Sequence, residues 1–352
     1  MIQAILDEVV CGKRLTPDEA EALFASNELA RLGAAANAVC LRKHPERRRT
    51  YNIDRNINYT NVCVCRCRFC NFSCDAGDPE AYVISRETLF RKIDETVALG
   101  GNQILLQGGL NPELRLEWFE ALFRAMQARY PQVNIHGLTP TEIWYLAQLE
   151  QLPYRTVIER LKAAGLGTLP GGGAEILSDA VRNQVSPKKI PTSQWLEIMA
   201  LWHTLGGRSS ATMMFGHVET FRQRVEHLDA IRQLQDRTGG FTAFIPWTYQ
   251  PSKFLSCPKS GTFDYLKTLA ISRLYLDNIS NIQASWVTQG LKIGRLALRF
   301  GANDMGSVMI EENVVASCGT SFRATESQLR QAIREEGYEP GRRNVFYEPV
   351  EE

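Results

Sequence analysis

The chain has 352 residues, of which 44% are hydrophobic and 22% are charged, and this length fits one large α/β domain or two small ones. Its 40 basic and 39 acidic residues give a formal net charge of +1, so the charge balance provides no general attraction to nucleic acid or to an anionic membrane. No apolar run approaches the ~20 residues of a membrane span, and the first residues, MIQAILDEVVCGKRL, lack the layout of a signal peptide, so we expect a cytoplasmic protein.

Residues 1–50 are predicted to form an N-terminal helical extension. The sequence TPDE at 16–19 has the form of a capping box, in which a hydroxyl and a carboxylate bind free backbone donors at a helix start. The same form recurs at 139–142 and at 325–328 and predicts two further helix starts.

From residue 51 onward, short apolar runs that end in Gly, Asn, Thr or Pro alternate with amphipathic helical stretches, a pattern typical of a parallel sheet. The predicted strands are 51–59, 102–107, 133–138, 166–169, 209–215, 241–246, 280–285 and 296–300. Eight such strands predict an α/β fold of the (β/α)8 TIM-barrel type. We expect the barrel to span residues 51–305 and residues 306–352 to form a C-terminal segment packed on it.

The first predicted strand leads into the segment NYTNVCVCRCRFCNFSC, residues 58–74. Cys63, Cys67 and Cys70 have C-x3-C-x2-C spacing, and Phe69 precedes the last of them. Three thiolates from one short loop can hold three corners of a 4Fe-4S cube and leave the fourth iron without a protein ligand. An open iron is available for chemistry, so the spacing predicts a catalytic cluster.

Two other uses of the cysteines are less well supported. Nine cysteines are few for a disulfide framework in a chain of this length, and their number is odd. A structural zinc site usually takes four ligands from two pairs, whereas His44 and His136 lie well before and well after the loop.

The choice of ligands within the loop has one local alternative. Cys67, Cys70 and Cys74 form a second triad with the two gaps reversed, although Phe69 favours the first triad. The simplest interpretation of Cys65 and Cys74 is that they are small buried side chains.

Active sites of (β/α)8 barrels lie at the C-terminal ends of the strands, and the residues there are rich in polar groups. They are residues 107–109, His136, Thr139, 170–175, 216–219, 247–250, 286–289 and 303–304. For most single members a loop residue with satisfied hydrogen bonds is the simpler interpretation. The set as a whole indicates a site.

Two glycine clusters follow predicted strands. Gly108 and Gly109 allow the backbone to approach a ligand closely, although a tight turn explains them equally well. The sequence GGGAE at 171–175 does not match G-x-G-x-x-G and therefore does not indicate a dinucleotide-binding fold.

The cysteine loop resembles that of the radical S-adenosylmethionine (SAM) enzymes. The segments INYTNVCV, ILLQGGLNP, LPGGGAEIL, ATMMFGHVET, IPWTYQP, ASWVTQG and FGANDMGSVMIEENVV resemble the cyclic dehypoxanthinyl futalosine synthase family of menaquinone biosynthesis. The sequences IPWTYQP, ASWVTQG and EENVV favour this family over its sister, aminofutalosine synthase. Cys65, Cys74 and Asn71 depart from the family pattern, in which polar, basic or alanine residues are usual.

The resemblance implies two cofactors, a 4Fe-4S cluster and SAM. It implies that the cluster ligands are Cys63, Cys67 and Cys70 and that the cofactor-binding residues are Phe69, Gly108, Gly109 and Glu175. The glycine pair meets the amino group of SAM in such enzymes, and the glutamate is expected to bind the ribose hydroxyls of SAM.

The resemblance also implies a reaction and its partners. A 5′-deoxyadenosyl radical takes the C4′ hydrogen from the ribose of dehypoxanthine futalosine, and the carbon radical adds to the benzoate ring. A base must then remove a proton, and the candidates are His217, Glu219 and Asp304. The expected partners are this small-molecule substrate and an electron donor such as flavodoxin or ferredoxin.

Substrate contacts are less specific in the sequence. Trp247, Tyr249 and Trp286 are candidates for a ring-stacking face, and Arg295 or Arg299 for a carboxylate contact. Buried core aromatics and exterior arginines explain them equally well.

Two further function classes stay open. One is another radical SAM reaction, of the aminofutalosine synthase or deazaflavin (FO) synthase type, and the other is a non-enzymatic iron-sulfur or zinc protein. The polar strand ends argue against the second, since a structural metal module needs no barrel mouth.

Overall fold

The computed structural model describes residues 2–320 and 322–350. Three helices come first, α1 (Ile2–Val10), α2 (Pro17–Ala25) and α3 (Leu29–Lys43), which confirms that the chain opens with helices. The predicted capping box at the start of α2 is present, because Thr16 Oγ1 accepts from the backbone N–H of Glu19 and the Glu19 carboxylate accepts from that of Thr16.

Strands and helices alternate through the rest of the chain. The strands are β1 (Arg48–Asn52), β2 (Asp54–Asn58), β3 (Gln103–Gln107), β4 (Asn134–Gly137), β5 (Thr168–Leu169), β6 (Arg208–Phe215), β7 (Phe241–Thr248), β8 (Asn281–Ile282), β9 (Asp304–Ser307) and β10 (Glu339–Arg342). The helices are α4 (Arg86–Ala98), α5 (Leu116–Arg129), α6 (Pro140–Glu150), α7 (Tyr154–Ala164), α8 (Asp179–Val185), α9 (Thr192–Thr204), α10 (Phe221–Thr238), α11 (Thr262–Tyr275), α12 (Trp286–Gln289), α13 (Leu291–Ala297) and α14 (Glu326–Glu335). A short 3-10 helix occupies Ala316–Cys318.

The strands form a closed parallel barrel, which confirms the predicted fold class. Strands β2 to β8 pair in chain order, each parallel to the next. A parallel bridge joins Gln283 to Asp304 at the start of β9, and β9 pairs in parallel with β1. Since β1 leads directly into β2, the ring closes, and β9 is its eighth strand.

The eighth strand was predicted in the wrong place. Residues 296–300 are not a strand, because Leu296 and Ala297 end helix α13 and a turn follows. Short apolar runs of this kind do not distinguish a strand from a buried helix segment. The first predicted strand, 51–59, is in fact two strands interrupted at Ile53.

The C-terminal residues close the barrel at the end where the strands begin. Strand β10 pairs in parallel with β1, and helix α14 lies next to it in the chain, its N-terminus tied to the barrel by a hydrogen bond from Tyr51 to Glu326. Behind β10, the Arg343 side chain enters the barrel and binds Asp304. The barrel elements run from Arg48 to Ser307, and the division into three regions stays a prediction.

Candidate active site

A cavity of about 410 Å³ lies inside the barrel and opens at the C-terminal ends of the strands. The side chains that line it from β2, β3 and β6 are mostly amides, hydroxyls and a carboxylate. They are Asp54, Asn56, Asn58, Gln103, Leu105, Gln107, Ser210 and Thr212. Barrels of this type usually fill the interior with branched apolar side chains, so a polar interior indicates a binding chamber.

The cysteine loop crosses the mouth of this cavity. Backbone hydrogen bonds from Cys63 N to Cys74 O and from Cys74 N to Asn61 O close the loop on itself, and one from Val64 N to Leu110 O fixes it to the turn after β3. Four cysteines, Cys63, Cys65, Cys67 and Cys70, line the cavity, whereas Cys74 does not.

The three predicted cluster ligands are therefore brought to one place. Cys65 lies beside Cys63 and Cys67, and its Sγ is 3.4 Å from the carbonyl oxygen of Lys188. In residues 2–320 and 322–350, no three His, Cys, Asp or Glu side chains are grouped closely enough to hold a single metal ion. A 4Fe-4S cube does not need its ligands to meet at one point, because each thiolate binds a different iron at its own corner. Three thiols on one loop at the cavity mouth are the donor set that a 4Fe-4S cluster takes.

An ion pair that the sequence did not predict lies next to the cysteines. Lys189 Nζ is 2.6 Å from Glu175 Oε1 and lies over the Phe69 ring, 5.1 Å from its centroid. Burial acts to lower the pKa of Lys189, but the negative charges of Cys67 and Glu175 outweigh it and raise this pKa. The structure thus brings the predicted cofactor-binding residues Phe69 and Glu175 together around a lysine cation.

The two glycines after β3 allow close packing against the cysteine loop. A Cβ on Gly109 would overlap the carbonyl oxygen of Val62 and lie 2.8 Å from the Cβ of Cys63, and a Cβ on Gly108 would lie 2.6 Å from the Tyr59 ring. The absent side chains thus leave room for the protein's own loop. Contact of these glycines with SAM stays a prediction.

This packing makes Gly109→Ala a test of the loop. We expect the variant to lose iron and SAM cleavage together, because the methyl group displaces the backbone that carries Cys63. Iron content per chain after anaerobic reconstitution is the measurement. Gly77→Ala is the matched control, since a Cβ on Gly77 has no neighbour within 4 Å. Full iron content in Gly109→Ala would contradict the packing argument.

Glu142 is a second cavity residue whose place the sequence did not reveal. Thr139 caps helix α6 as predicted, but the Glu142 carboxylate does not complete the capping box. It turns inward and accepts hydrogen bonds from Tyr59 OH at 2.7 Å and from the backbone N–H of Gly108 at 3.3 Å. Burial raises the pKa of Glu142 to about 7. The capping-box spacing of Thr139 and Glu142 predicted a helix-capping role for this carboxylate, and so it did not reveal that Glu142 faces the cavity.

The three predicted proton acceptors lie elsewhere. Asp304, His217 and Glu219 are not among the residues that line the cavity. The Glu219 carboxylate accepts from the backbone N–H groups of Gly216 and His217 and from Arg224 Nε at 2.8 Å. His217 Nε2 is 3.0 Å from the carbonyl oxygen of Met214, and burial lowers the pKa of His217.

Asp304 is fully buried and bound on both carboxylate oxygens. Arg343 Nε donates to Oδ2 at 2.6 Å and Arg343 Nη2 to Oδ1 at 2.9 Å, while Thr50 and the backbone N–H of Gly306 donate as well. This geometry gives no support to proton transfer by Asp304, whose acceptor role stays a prediction.

The predicted substrate contacts are partly brought together. Trp247 and Trp286 line the cavity, whereas Tyr249 does not and donates its hydroxyl to Leu255 O. For the two arginines the structure agrees with the exterior alternative. Arg295 and Arg299 lie outside the barrel, where Glu335 and Glu336 of helix α14 pair with their side chains.

Comparison with known proteins agrees with this geometry. The radical SAM superfamily model matches residues 57–231, and a model described as the CofH/MqnC C-terminal region matches residues 238–352. The solved structure of methylornithine synthase (PylB) superposes with a TM-score of 0.73 at 17% identity and covers 96% of this chain and 97% of its own. That likeness shows the fold alone.

Two curated relatives are more similar in sequence. A cyclic dehypoxanthine futalosine synthase of Halalkalibacterium halodurans is 44% identical over 351 residues, 99% of this chain and 95% of its own. A 5-amino-6-(D-ribitylamino)uracil--L-tyrosine 4-hydroxyphenyl transferase of Methanothermobacter thermautotrophicus is 37% identical over 367 residues, 100% of this chain and 97% of its own. By these likenesses the chain belongs to the radical SAM superfamily and, within it, to the cyclic dehypoxanthine futalosine synthase family.

Proposed function

We propose that this protein is a radical SAM cyclase that converts dehypoxanthine futalosine to its cyclic product in menaquinone biosynthesis. The observation that carries the proposal is the 44% identity to a cyclic dehypoxanthine futalosine synthase over 99% of the chain. The polar chamber under the cysteine loop suits a substrate that carries sugar hydroxyls.

The cofactors of this superfamily are a 4Fe-4S cluster and SAM. When bound, the cluster supplies the electron that cleaves SAM to methionine and a 5′-deoxyadenosyl radical. We assign the cluster to Cys63, Cys67 and Cys70, which share one loop at the cavity mouth. Phe69, Gly108, Gly109 and Glu175 are the residues that we propose for the cofactor site. Lys189 adds a cation there that suits a carboxylate.

The chain's own contribution to the reaction is to hold, enclose and deprotonate the substrate. The barrel wall and the cysteine loop across its mouth would limit the access of water to the radical while the substrate C4′ hydrogen is removed and the new carbon–carbon bond forms. The ring must then lose one proton and one electron to regain aromaticity, and this electron would return to the cluster that gave one to SAM. Of the carboxyl groups at the cavity, we propose Glu142 as the acceptor, because its pKa of about 7 suits a base at neutral pH.

A transferase reaction of the aromatic–pyrimidine type is the second candidate. It is favoured by the 37% identity, over the full chain, to the Methanothermobacter enzyme whose name specifies tyrosine and a ribitylaminouracil. The two candidates differ in substrates, since only the second requires tyrosine.

Electron supply and location complete the proposal. We propose flavodoxin or ferredoxin as the one-electron donor and the cytoplasm as the location, where free thiols persist. All nine cysteines are free in the structure. Within residues 2–320 and 322–350, none of the helices is both long enough and apolar enough to cross a lipid bilayer.

An isotope experiment tests the cyclase. Reconstituted enzyme, SAM and a reductant are incubated anaerobically with dehypoxanthine futalosine that carries deuterium at C4′. We expect deuterium in 5′-deoxyadenosine, and mass spectrometry should find the nucleoside-derived product lighter than its substrate by one deuterium and one hydrogen.

The controls separate the alternatives. Tyrosine with 5-amino-6-(D-ribitylamino)uracil is the matched substrate pair for the transferase. An aminofutalosine synthase would consume the adenosine fragment of SAM in its product and release no 5′-deoxyadenosine. Retention of the C4′ deuterium in the substrate would overturn the cyclase assignment.

A further inference from the structure

Three buried acceptor oxygens without a hydrogen-bond partner belong to side chains that line the barrel cavity. They are Asp54 Oδ1, Asn56 Oδ1 and Gln103 Oε1. All three residues line the cavity, and they are only 5%, 5% and 6% exposed. Since no protein donor reaches these three oxygens, the chamber suits a ligand that brings its own donors.

The strand geometry explains why these side chains lie on the chamber side of the sheet. Asp54 and Asn56 are two residues apart on β2 and therefore point to the same side of the sheet. Gln103 lies directly opposite Asp54 in the parallel register of β2 and β3.

Hydrogen bonds to neighbouring side chains determine which oxygen atoms have no protein donor. Gln103 Nε2 donates to Asp54 Oδ2 at 2.8 Å, so the Gln103 oxygen and the second Asp54 oxygen are the atoms without a protein partner. The Asn56 side chain lies beside the Glu312 carboxylate, and Asn56 Oδ1 has no protein partner. The acceptor character of the group is thus set by the fold.

The charges around this group favour a neutral ligand with hydroxyl donors. The cation beside Asp54 is Arg343, and its guanidinium is already bound to both Asp304 oxygens and to the carbonyl oxygen of Asn344. Burial raises the pKa of Asp54, and Arg343 is already engaged, so this group offers an incoming carboxylate no free cation. Hydroxyl groups donate to carboxylate and amide oxygens without bringing charge.

We propose that Asp54, Asn56 and Gln103 form a hydroxyl-binding subsite that holds the sugar hydroxyls of the substrate and selects for them. The identity of that sugar rests on the proposed function. The benzoate end of the substrate then lies away from β2 and β3, in the part of the cavity that Trp247 and Trp286 line.

Binding measurements on unreduced holoenzyme with SAM test this subsite without turnover. The probes are dehypoxanthine futalosine and its 2-deoxy and 3-deoxy analogues, titrated anaerobically by calorimetry. In the wild type, we expect at least one analogue to bind with a Kd roughly 10- to 100-fold higher, because its missing hydroxyl leaves a buried acceptor unpaired. In Asp54→Asn we expect the substrate to bind more weakly and this analogue penalty to fall to less than ~3-fold, since the two changes remove the same bond.

Asn56→Leu repeats the test in case Asp54→Asn does not assemble its cluster. In this variant too, the ratio of the Kd of the deoxy analogue to the Kd of the substrate, the analogue penalty, should fall. The matched control is Asp94→Asn, which removes a carboxylate that binds Arg129 and Tyr130 outside the cavity and should keep the wild-type penalty. Wild-type penalties in both Asp54→Asn and Asn56→Leu, or no binding by the wild type, would overturn the subsite.

Two other outcomes are also decisive. A stoichiometric metal other than iron that is present in the wild type and absent from Asp54→Asn would overturn the proposal, because the oxygens would then serve a cation. Hydroxyl-dependent binding without deuterium transfer in the isotope experiment would retain the subsite and reject the cyclase. The two failures are therefore distinguishable.

Discussion

Replacing Cys63, Cys67 or Cys70 by alanine is expected to abolish SAM cleavage. Each variant would leave one corner of the cube without a thiolate, and a cluster with two protein ligands does not survive at a solvent-accessible mouth. The measurements are 5′-deoxyadenosine formed under a chemical reductant and iron per chain, which should be about four in the wild type. The reduced wild type should also show an EPR signal that changes when SAM is added, as an open iron requires.

The other two cysteines of the loop supply the controls. Cys65→Ala and Cys74→Ala should both keep iron and SAM cleavage. Cys65 is the stricter control, because it lies beside Cys63 and Cys67 at the same cavity mouth. If Cys74 is essential and Cys63 is dispensable, the cluster ligands are Cys67, Cys70 and Cys74. If Cys65 is essential and Cys70 is dispensable, the ligands are Cys63, Cys65 and Cys67.

The fold was largely predictable because most barrel strands are short apolar runs between amphipathic helices. Strand β9 was missed since Asp304–Ser307, sequence DMGS, has no apolar pattern of its own. It is held by neighbours on both sides, β1 and the residue that follows β8, and by Arg343, which lies 39 residues further along the chain. Tertiary contacts of this kind leave no signal in a local window.

The residues of the candidate site show the same difference between local sequence patterns and tertiary contacts. The cysteine triad was predictable because its chemistry depends on spacing within one loop. Lys189 and Glu142 were not, because their importance comes from their partners in space, Glu175 for the first and Tyr59 and Gly108 for the second. The helix-capping pattern around Glu142 even predicted a different use for its carboxylate.

Replacing Arg343 by methionine is expected to destabilise the fold by about 3–5 kcal/mol. The substitution leaves Asp304 as a fully buried carboxylate without its cation, and it opens the end of the barrel that the C-terminal segment closes. The double variant Arg343→Met/Asp304→Leu should recover most of that loss, because it removes both charges together. The measurement is the denaturant midpoint of each variant. Equal stability of Arg343→Met and the wild type would contradict the structural importance of the pair.

A further variant, Asp304→Asn, compared with Arg343→Met, decides what Asp304 does in the reaction. If Asp304 only anchors Arg343, then Asp304→Asn and Arg343→Met should lose stability in parallel, and both should keep the wild-type ratio of cyclised product to 5′-deoxyadenosine. We expect this outcome, because Arg343 binds both carboxylate oxygens and Asp304 does not line the cavity. A base acts after hydrogen abstraction, so loss of the proton acceptor would instead leave 5′-deoxyadenosine formation intact while cyclised product falls. Such a fall in Asp304→Asn alone would make Asp304 the acceptor and would displace Glu142 from that role.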